Sequence, residues 1–143
     1  MSVYVEDELR GCIGRFKTTE PLWKTVTEMA VSAATEDDRF TAIHPEDLEF
    51  LSVELSVLTP MRKITSIEEI EPGKHGIYLK KGMMSGTFLP QVATKYNWTT
   101  EELLGHCARD KACLGWDGWK SAEIFVYEAL IFSDKDALAP PTD

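Results

Sequence analysis

Leu51-Ser52-Val53-Glu54-Leu55-Ser56-Val57 is the stretch that decides the fold. Apolar and polar residues alternate in it without a break. A strand points successive side chains to opposite faces, so the stretch predicts a strand with Leu51, Val53, Leu55 and Val57 buried on one side. Pro60 stops it, and His44-Pro45 starts a short turn or helix through Leu48 just before it. Upstream, a helix is expected over residues 21–36. Pro21 suits its first turn, and Leu22, Val26, Met29, Ala30 and Ala33 recur at three-to-four spacing. At the front, residues 3–5 and 9–14 flank the acidic turn Glu6-Asp7-Glu8 and read as a hairpin.

Downstream of the deciding strand, residues 66–70 read as one helical turn, and Glu71-Pro72-Gly73 punctuates the chain. Residues 76–81 and 83–89 form a second hairpin about Lys81-Gly82, ended by Pro90. Thr99 with Glu102 makes a capping box, in which each side chain satisfies a free backbone N–H of the other's residue. The helix it opens carries the stripe Leu103, Leu104, Cys107, Ala108 and Ala112, and Gly115 fits just past its end. Residues 122–132 read as one long final strand, and residues 133–143, with Pro140-Pro141, as a loose tail. The order β-β-α-β-β-β-α-β departs from the regular alternation of a parallel sheet. It predicts an α+β fold, a mostly antiparallel sheet with flanking helices, as one domain over residues 1–132.

The chain has 143 residues, enough for one ordinary domain, and 43% of them are hydrophobic. Fifteen Lys and Arg against 24 Asp and Glu leave a net charge of −9. Phosphate backbones repel such a chain, so nucleic acid is not expected as a partner unless the charge is very unevenly spread. The longest apolar runs, residues 124–127 and 129–132, fall far short of the roughly 20 residues of a membrane span. Glu6, Asp7 and Glu8 stand where a signal peptide needs basic and then apolar residues. Cys12, Cys107 and Cys113 are an odd count without framework spacing, which points to a reducing, cytoplasmic setting. On a regular helix Cys107 and Cys113 point about 120° apart, so they do not clamp a metal. The sequence calls for no metal and no cofactor.

The chemistry concentrates in Leu9-Arg10-Gly11-Cys12-Ile13-Gly14. Strand alternation puts Leu9 and Ile13 on the core face and Arg10 with Cys12 on the other, roughly 7 Å apart. A guanidinium near a thiol favours the nucleophilic thiolate. Gly11 and Gly14 remove bulk, so that a ligand or another backbone comes close. The segment is therefore a reactive thiol, an anion-binding site, or a small buried cysteine in a tight hairpin, and residue types alone favour the last.

This hexapeptide resembles the signature of the AMMECR-type domain family, named for an Alport-syndrome gene region. Other stretches agree in order: Glu36-Asp37-Asp38-Arg39-Phe40, residues 53–60, Gly76-Ile77-Tyr78-Leu79, residues 87–92, and Lys111-Ala112-Cys113-Leu114 with Trp119. The resemblance implies two unequal lobes around a cleft, with the hexapeptide beside the cleft as the functional site. It implies no defined activity. Prokaryotic relatives are linked to Memo-type and radical-SAM proteins, which implies a modification pathway using Cys12 and Arg10. The alternative is a non-catalytic module whose cleft recognises a protein segment or a small anion. Gly11, Gly14, Arg39 and Gln91 would then line the binding site. Arg39 either offsets the helix C-terminal dipole over Phe40 or contacts an anion, and Gln91 either presents its amide to the cleft or caps the next turn. Family members carry a helical segment and a fuller strand before the hexapeptide. Here eight residues precede Leu9, so either the start is internal to the natural gene product or part of a lobe is missing, and a missing part would open apolar surface and invite self-association. The remaining features read as ordinary structure: Trp116 and Trp119 as core, Lys74, Lys80 and Lys81 as a hairpin edge, and His44 and His75 as surface histidines.

Overall fold

In the computed structural model, residues 1–137 are described. The chain divides into two compact units. Unit 1 holds Met1–Val57 and the chain from Leu130 onward, and unit 2 holds Leu58–Ala129.

Unit 1 is built on an antiparallel hairpin, β1 (Ser2–Val5) and β2 (Glu8–Cys12). Glu6 and Asp7 at its tip both have positive φ, 51° and 66°, as a two-residue turn of the I′ type requires. Strand β3 (Leu51–Leu58) is the stretch expected from the alternation, and it pairs antiparallel with β1, Val53 opposite Val3 and Glu54 opposite Ser2. The sheet order is β2-β1-β3-β8, where β8 is Ala129–Ser133, so β3 is central. One expectation changes. All eight residues of β3 are half-buried, on both faces. Helix α1 (Leu22–Thr35) packs on β1 and β2 rather than over β3, which leaves the apolar row of β3 incompletely covered. The opposite row, Ser52, Glu54 and Ser56, is drawn partly out of solvent as well. Helix α1 buries Thr25, Met29 and Ala33, while Leu22, expected on the buried stripe, is exposed. Thr25 tolerates burial because its hydroxyl bonds the Pro21 carbonyl at 3.4 Å.

Unit 2 is a second antiparallel sheet, ordered β4-β7-β5-β6. Its strands are β4 (Arg62–Lys63), β5 (Gly76–Lys81), β6 (Met84–Phe88) and β7 (Glu123–Tyr127). Ile64, Ile77, Leu79 and Val126 from this sheet region pack with Leu103, Leu104, Cys107 and Ala108 from helix α3 (Thr100–His106) and the turn after it. Gly76 accommodates the Tyr127 ring, which a Cβ there would meet at 2.4 Å. The Tyr127 hydroxyl bonds Thr87 Oγ1 at 2.8 Å and the Phe88 carbonyl at 3.1 Å, and burial pushes its pKa up to about 12.

Five local readings change. Pro90 ends the hairpin but also opens helix α2 (Pro90–Tyr96), as a first-turn proline does. The capping box of α3 forms, yet its helix widens into a π turn over Cys107–Lys111, with Ala112 N–H donating to the Cys107 carbonyl at 3.0 Å. Cys113 is off the helix at φ 56° and exposed, so the expected 120° separation does not apply. The long final strand breaks at Glu128 into β7 and β8 (Ala129–Ser133), one in each sheet. Glu128 and Thr59 pin that break: the Thr59 N–H donates to the Glu128 carbonyl and the Glu128 N–H to Thr59 Oγ1, each at 2.8 Å. Finally, the tail expected to be loose from Ser133 begins with a helical turn, α4 (Asp134–Ala137), and residues 138–143 lie outside the described part. Among the described residues no helix is long and apolar enough to cross a membrane.

Candidate functional site

Cys12 ends β2, an edge strand, opposite Ser2 on β1. The pairing slips between Val3 and Tyr4: Gly11 stands opposite Val3 and Leu9 opposite Tyr4, which leaves Arg10 as the extra residue of a bulge. The expected alternation is therefore broken. Arg10 does not join Cys12. Its Nη2 donates to the Thr41 carbonyl at 3.2 Å and lies 3.7 Å from Asp47 Oδ2. Gly11 is buried because the Ala33 carbonyl of α1 approaches it, at 1.8 Å from where a Cβ would stand. Of the two reasons for a glycine there, close approach of another backbone is the one realised. Gly14 has open space around it.

What meets Cys12 is the segment after α1. The Cys12 N–H donates to Asp37 Oδ2 at 2.9 Å, and Arg39 Nη2 donates to the Cys12 carbonyl at 2.9 Å. An edge strand leaves such outward N–H and C=O groups unpaired, and here one ion pair satisfies both. Asp37 also accepts from Arg39 Nε at 2.9 Å and Nη2 at 2.7 Å, and from the Arg39 backbone N–H at 3.2 Å, a side-chain-to-backbone turn that asparagine and aspartate favour. The Arg39 guanidinium, then the Cys12 N–H, hold the Asp37 carboxyl well below the usual carboxylate range. The Asp37 side chain is 6% exposed and that of Arg39 is 65% exposed. Arg39 also lies over the Phe40 ring, 5.4 Å from its centroid. Two stretches singled out in the sequence thus meet in one clasp. Asp37 escaped sequence reasoning as an individual residue. Its signal was present in the Asp-x-Arg spacing just past a helix end.

The thiol has its own neighbours. Ser2 Oγ donates to Cys12 Sγ at 3.4 Å. Ser2 also stands opposite Glu54 on β3, so Cys12, Ser2 and Glu54 form one cross-strand row. Burial, then Glu54 and Cys12 beside it, push the Tyr4 phenol up. Among the described residues no imidazole or carboxylate hydrogen-bonds Sγ.

The other candidates stand elsewhere. Gln91 is in the first turn of α2 in unit 2, and its Oε1 is buried without a hydrogen-bond partner among the described residues. Lys80 and Lys81 are on β5, which is paired on both sides, so they do not guard an edge, and Lys81 Nζ donates to Ser121 Oγ at 2.8 Å. His75 Nδ1 accepts the Glu71 N–H at 3.0 Å. Trp116, expected in the core, is 39% exposed and meets His106 edge-on. Cys107 is fully buried, and burial pushes its thiol up to about 12.

This α+β chain matches a known family over most of its length. The AMMECR1 family model covers residues 2–132, and the chain belongs to that family. It is 41% identical to Protein MK0488 of Methanopyrus kandleri over 96% of this chain and 70% of that protein. It is 38% identical to Protein NEQ441 of Nanoarchaeum equitans over 91% of this chain and 76% of that one. The crystal structure of the uncharacterized protein PH0010 from Pyrococcus horikoshii superimposes with a TM-score of 0.83 at 32% identity, covering 92% of this chain and 70% of that one.

Proposed function

We propose that this domain is a binding module whose recognition point is the Cys12–Asp37–Arg39 clasp, and that it takes an anionic group, free or carried on a protein segment. One observation carries the reading. Arg39 is held by Asp37 and the Cys12 carbonyl through Nε and Nη2, yet its side chain is mostly exposed and its Nη1 has no partner among the described residues. A guanidinium offers five donors in a rigid fork. Fixing one edge orients the other in advance, which lowers the entropy cost of binding. The space around Gly14 leaves room beside it. An acidic unit that nonetheless presents an oriented cation is selective for the ligand's geometry rather than for bulk negative charge. The reading places this work in the cytoplasm, where three cysteines stay reduced.

A second reading keeps Cys12 as a nucleophile in a modification pathway with Memo-type and radical-SAM proteins. The Ser2 hydroxyl that donates to Sγ at 3.4 Å favours it, since that contact fixes the direction of the thiol. With Arg10 tied to Asp47 and no base on the thiol among the described residues, the binding reading is the stronger. Calorimetric titration with phosphate, sulfate and small carboxylates tests it, on wild type and Arg39→Gln. Saturable binding that Arg39→Gln abolishes supports the module. Binding unchanged by the substitution, or none, refutes it.

A further inference from the structure

Unit 2 carries a second constellation, apart from the clasp and independent of the reading above. Tyr96 stacks on Trp98 with ring centroids 4.7 Å apart and planes 20° apart. Trp98 in turn stacks on His106 at 3.9 Å and 11°, and Trp116 closes the far side edge-on at 4.9 Å. The ladder is held rigidly. His106 Nδ1 lies 3.2 Å from Asp110 Oδ2 and 3.3 Å from Arg109 Nη2, so both side chains hold the ring in place. Arg109 grips the same carboxylate at 2.6 Å and 3.0 Å. Gly105 lets the Trp116 ring lie against the helix, since a Cβ there would meet it at 2.4 Å. The π turn directly after His106 is a rare geometry that recurs at functional sites.

The open end of the ladder is Tyr96, 53% exposed at the last residue of α2. Three cations surround the ladder, each over one of its rings or a neighbour: Lys95 5.3 Å from the Tyr96 centroid, Arg109 5.4 Å from that of Trp116, and Lys111 5.5 Å from that of Phe88. Phe88 itself packs on Trp98 at 5.8 Å. The net charge of the whole chain argued against phosphate-bearing partners, but that charge is very unevenly spread. Unit 1 has six Lys and Arg against fifteen Asp and Glu, whereas unit 2 has nine of each. Unit 2 is neutral, and its aromatic ladder is interleaved with basic side chains.

We propose that this ladder is a binding site for a planar ring carrying a phosphate, the chemistry of a nucleotide. The ring stacks on Tyr96 and extends the ladder by one member. Lys95 exchanges its place over the Tyr96 ring for a contact with the phosphate, with Lys111 supplying further positive charge. Every base has a π face, so stacking tolerates any base and leaves affinity to the ring and the charge together. A free mononucleotide and the exposed end of a single strand share this chemistry.

Calorimetry on the full chain with AMP, adenosine, inorganic phosphate and a short adenine oligonucleotide tests the site. AMP is expected to bind saturably and more tightly than either adenosine or phosphate. Tyr96→Ala should weaken it about tenfold, within the range for losing one base–aromatic stack, whereas Tyr96→Phe should retain it. Lys95→Ala with Lys111→Ala should weaken AMP and leave adenosine unchanged. An oligonucleotide that binds more tightly than AMP by the same Tyr96 dependence identifies a single strand as the source, and equal affinity identifies the free nucleotide. No saturable binding of either, or binding that Tyr96→Ala leaves intact in a protein of native circular dichroism, overturns the proposal.

Discussion

Gly11→Ala should destabilise unit 1 through a backbone clash. A Cβ at residue 11 would lie 1.8 Å from the Ala33 carbonyl oxygen and 2.7 Å from its carbon. Ordinary contact begins at 3.4 Å, so the oxygen must retreat by the difference, 1.6 Å. That oxygen belongs to α1, and no side-chain rotation relieves the contact. The helix must slide or β2 must bend, which unseats Met29 and Ala33 from the sheet. Overpacking of this kind costs about 1–3 kcal/mol, and a rigid backbone partner puts the cost near the top of that range. Lost unfolded-state entropy returns about 0.4–1 kcal/mol, leaving about 2 kcal/mol net, or roughly 6–8 °C in Tm for a chain of this size. Urea unfolding followed by circular dichroism measures it. Gly14→Ala is the control, since nothing stands within 4 Å of its Cβ, and it should be neutral or slightly stabilising. A Gly11→Ala protein within about 0.5 kcal/mol of wild type, in the range of ordinary surface substitutions, would refute the close approach of α1 to β2.

Three further outcomes are expected. The depressed Asp37 carboxyl contributes stability above the unfolded pKa of about 3.9, lost as pH falls through the lower folded value. The stability gap between wild type and Asp37→Asn should therefore shrink below about pH 4 in urea midpoints taken from neutral pH downward, and a gap independent of pH would contradict the clasp. Tyr127→Phe removes a hydroxyl that bonds Thr87 and the Phe88 carbonyl, and should cost about 1–2 kcal/mol in chemical denaturation. Cys107, fully buried with its thiol pushed up to about 12, should resist alkylation until the protein unfolds, while exposed Cys113 reacts at once. Peptide mapping of the alkylated protein distinguishes them.

Much of the fold was legible because local patterns and tertiary structure agree. The strand over residues 51–57, the capping box at Thr99 and the hairpin of residues 76–89 each act within a few residues and form as read, although the strand is half-buried on both faces and the hairpin turns at Gly82-Met83. The misread features depend on distant partners. Nothing in residues 122–132 shows that Glu128 exchanges hydrogen bonds with Thr59, so one strand was read where there are two. The bulge at Arg10 follows from pairing with β1, and it undoes the local alternation that joined Arg10 to Cys12. The candidate site was half legible. Cys12 and Arg39 were each marked by their motifs, but the bonds joining them span 27 positions and run through Asp37. The ring ladder was hidden more fully, because Tyr96, Trp98, His106 and Trp116 follow no helical or strand period.

The proposed binding module requires Cys12 to belong to a recognition surface rather than to act as a nucleophile. Site-resolved alkylation of the folded wild-type protein at neutral pH, with and without saturating phosphate, tests it most directly. Half-buried, Cys12 should react more slowly than exposed Cys113, and phosphate at Arg39 should slow Cys12 further while leaving Cys113 unchanged. A Cys12 that outruns Cys113, with phosphate making no difference, would contradict the binding module and return the site to thiol chemistry.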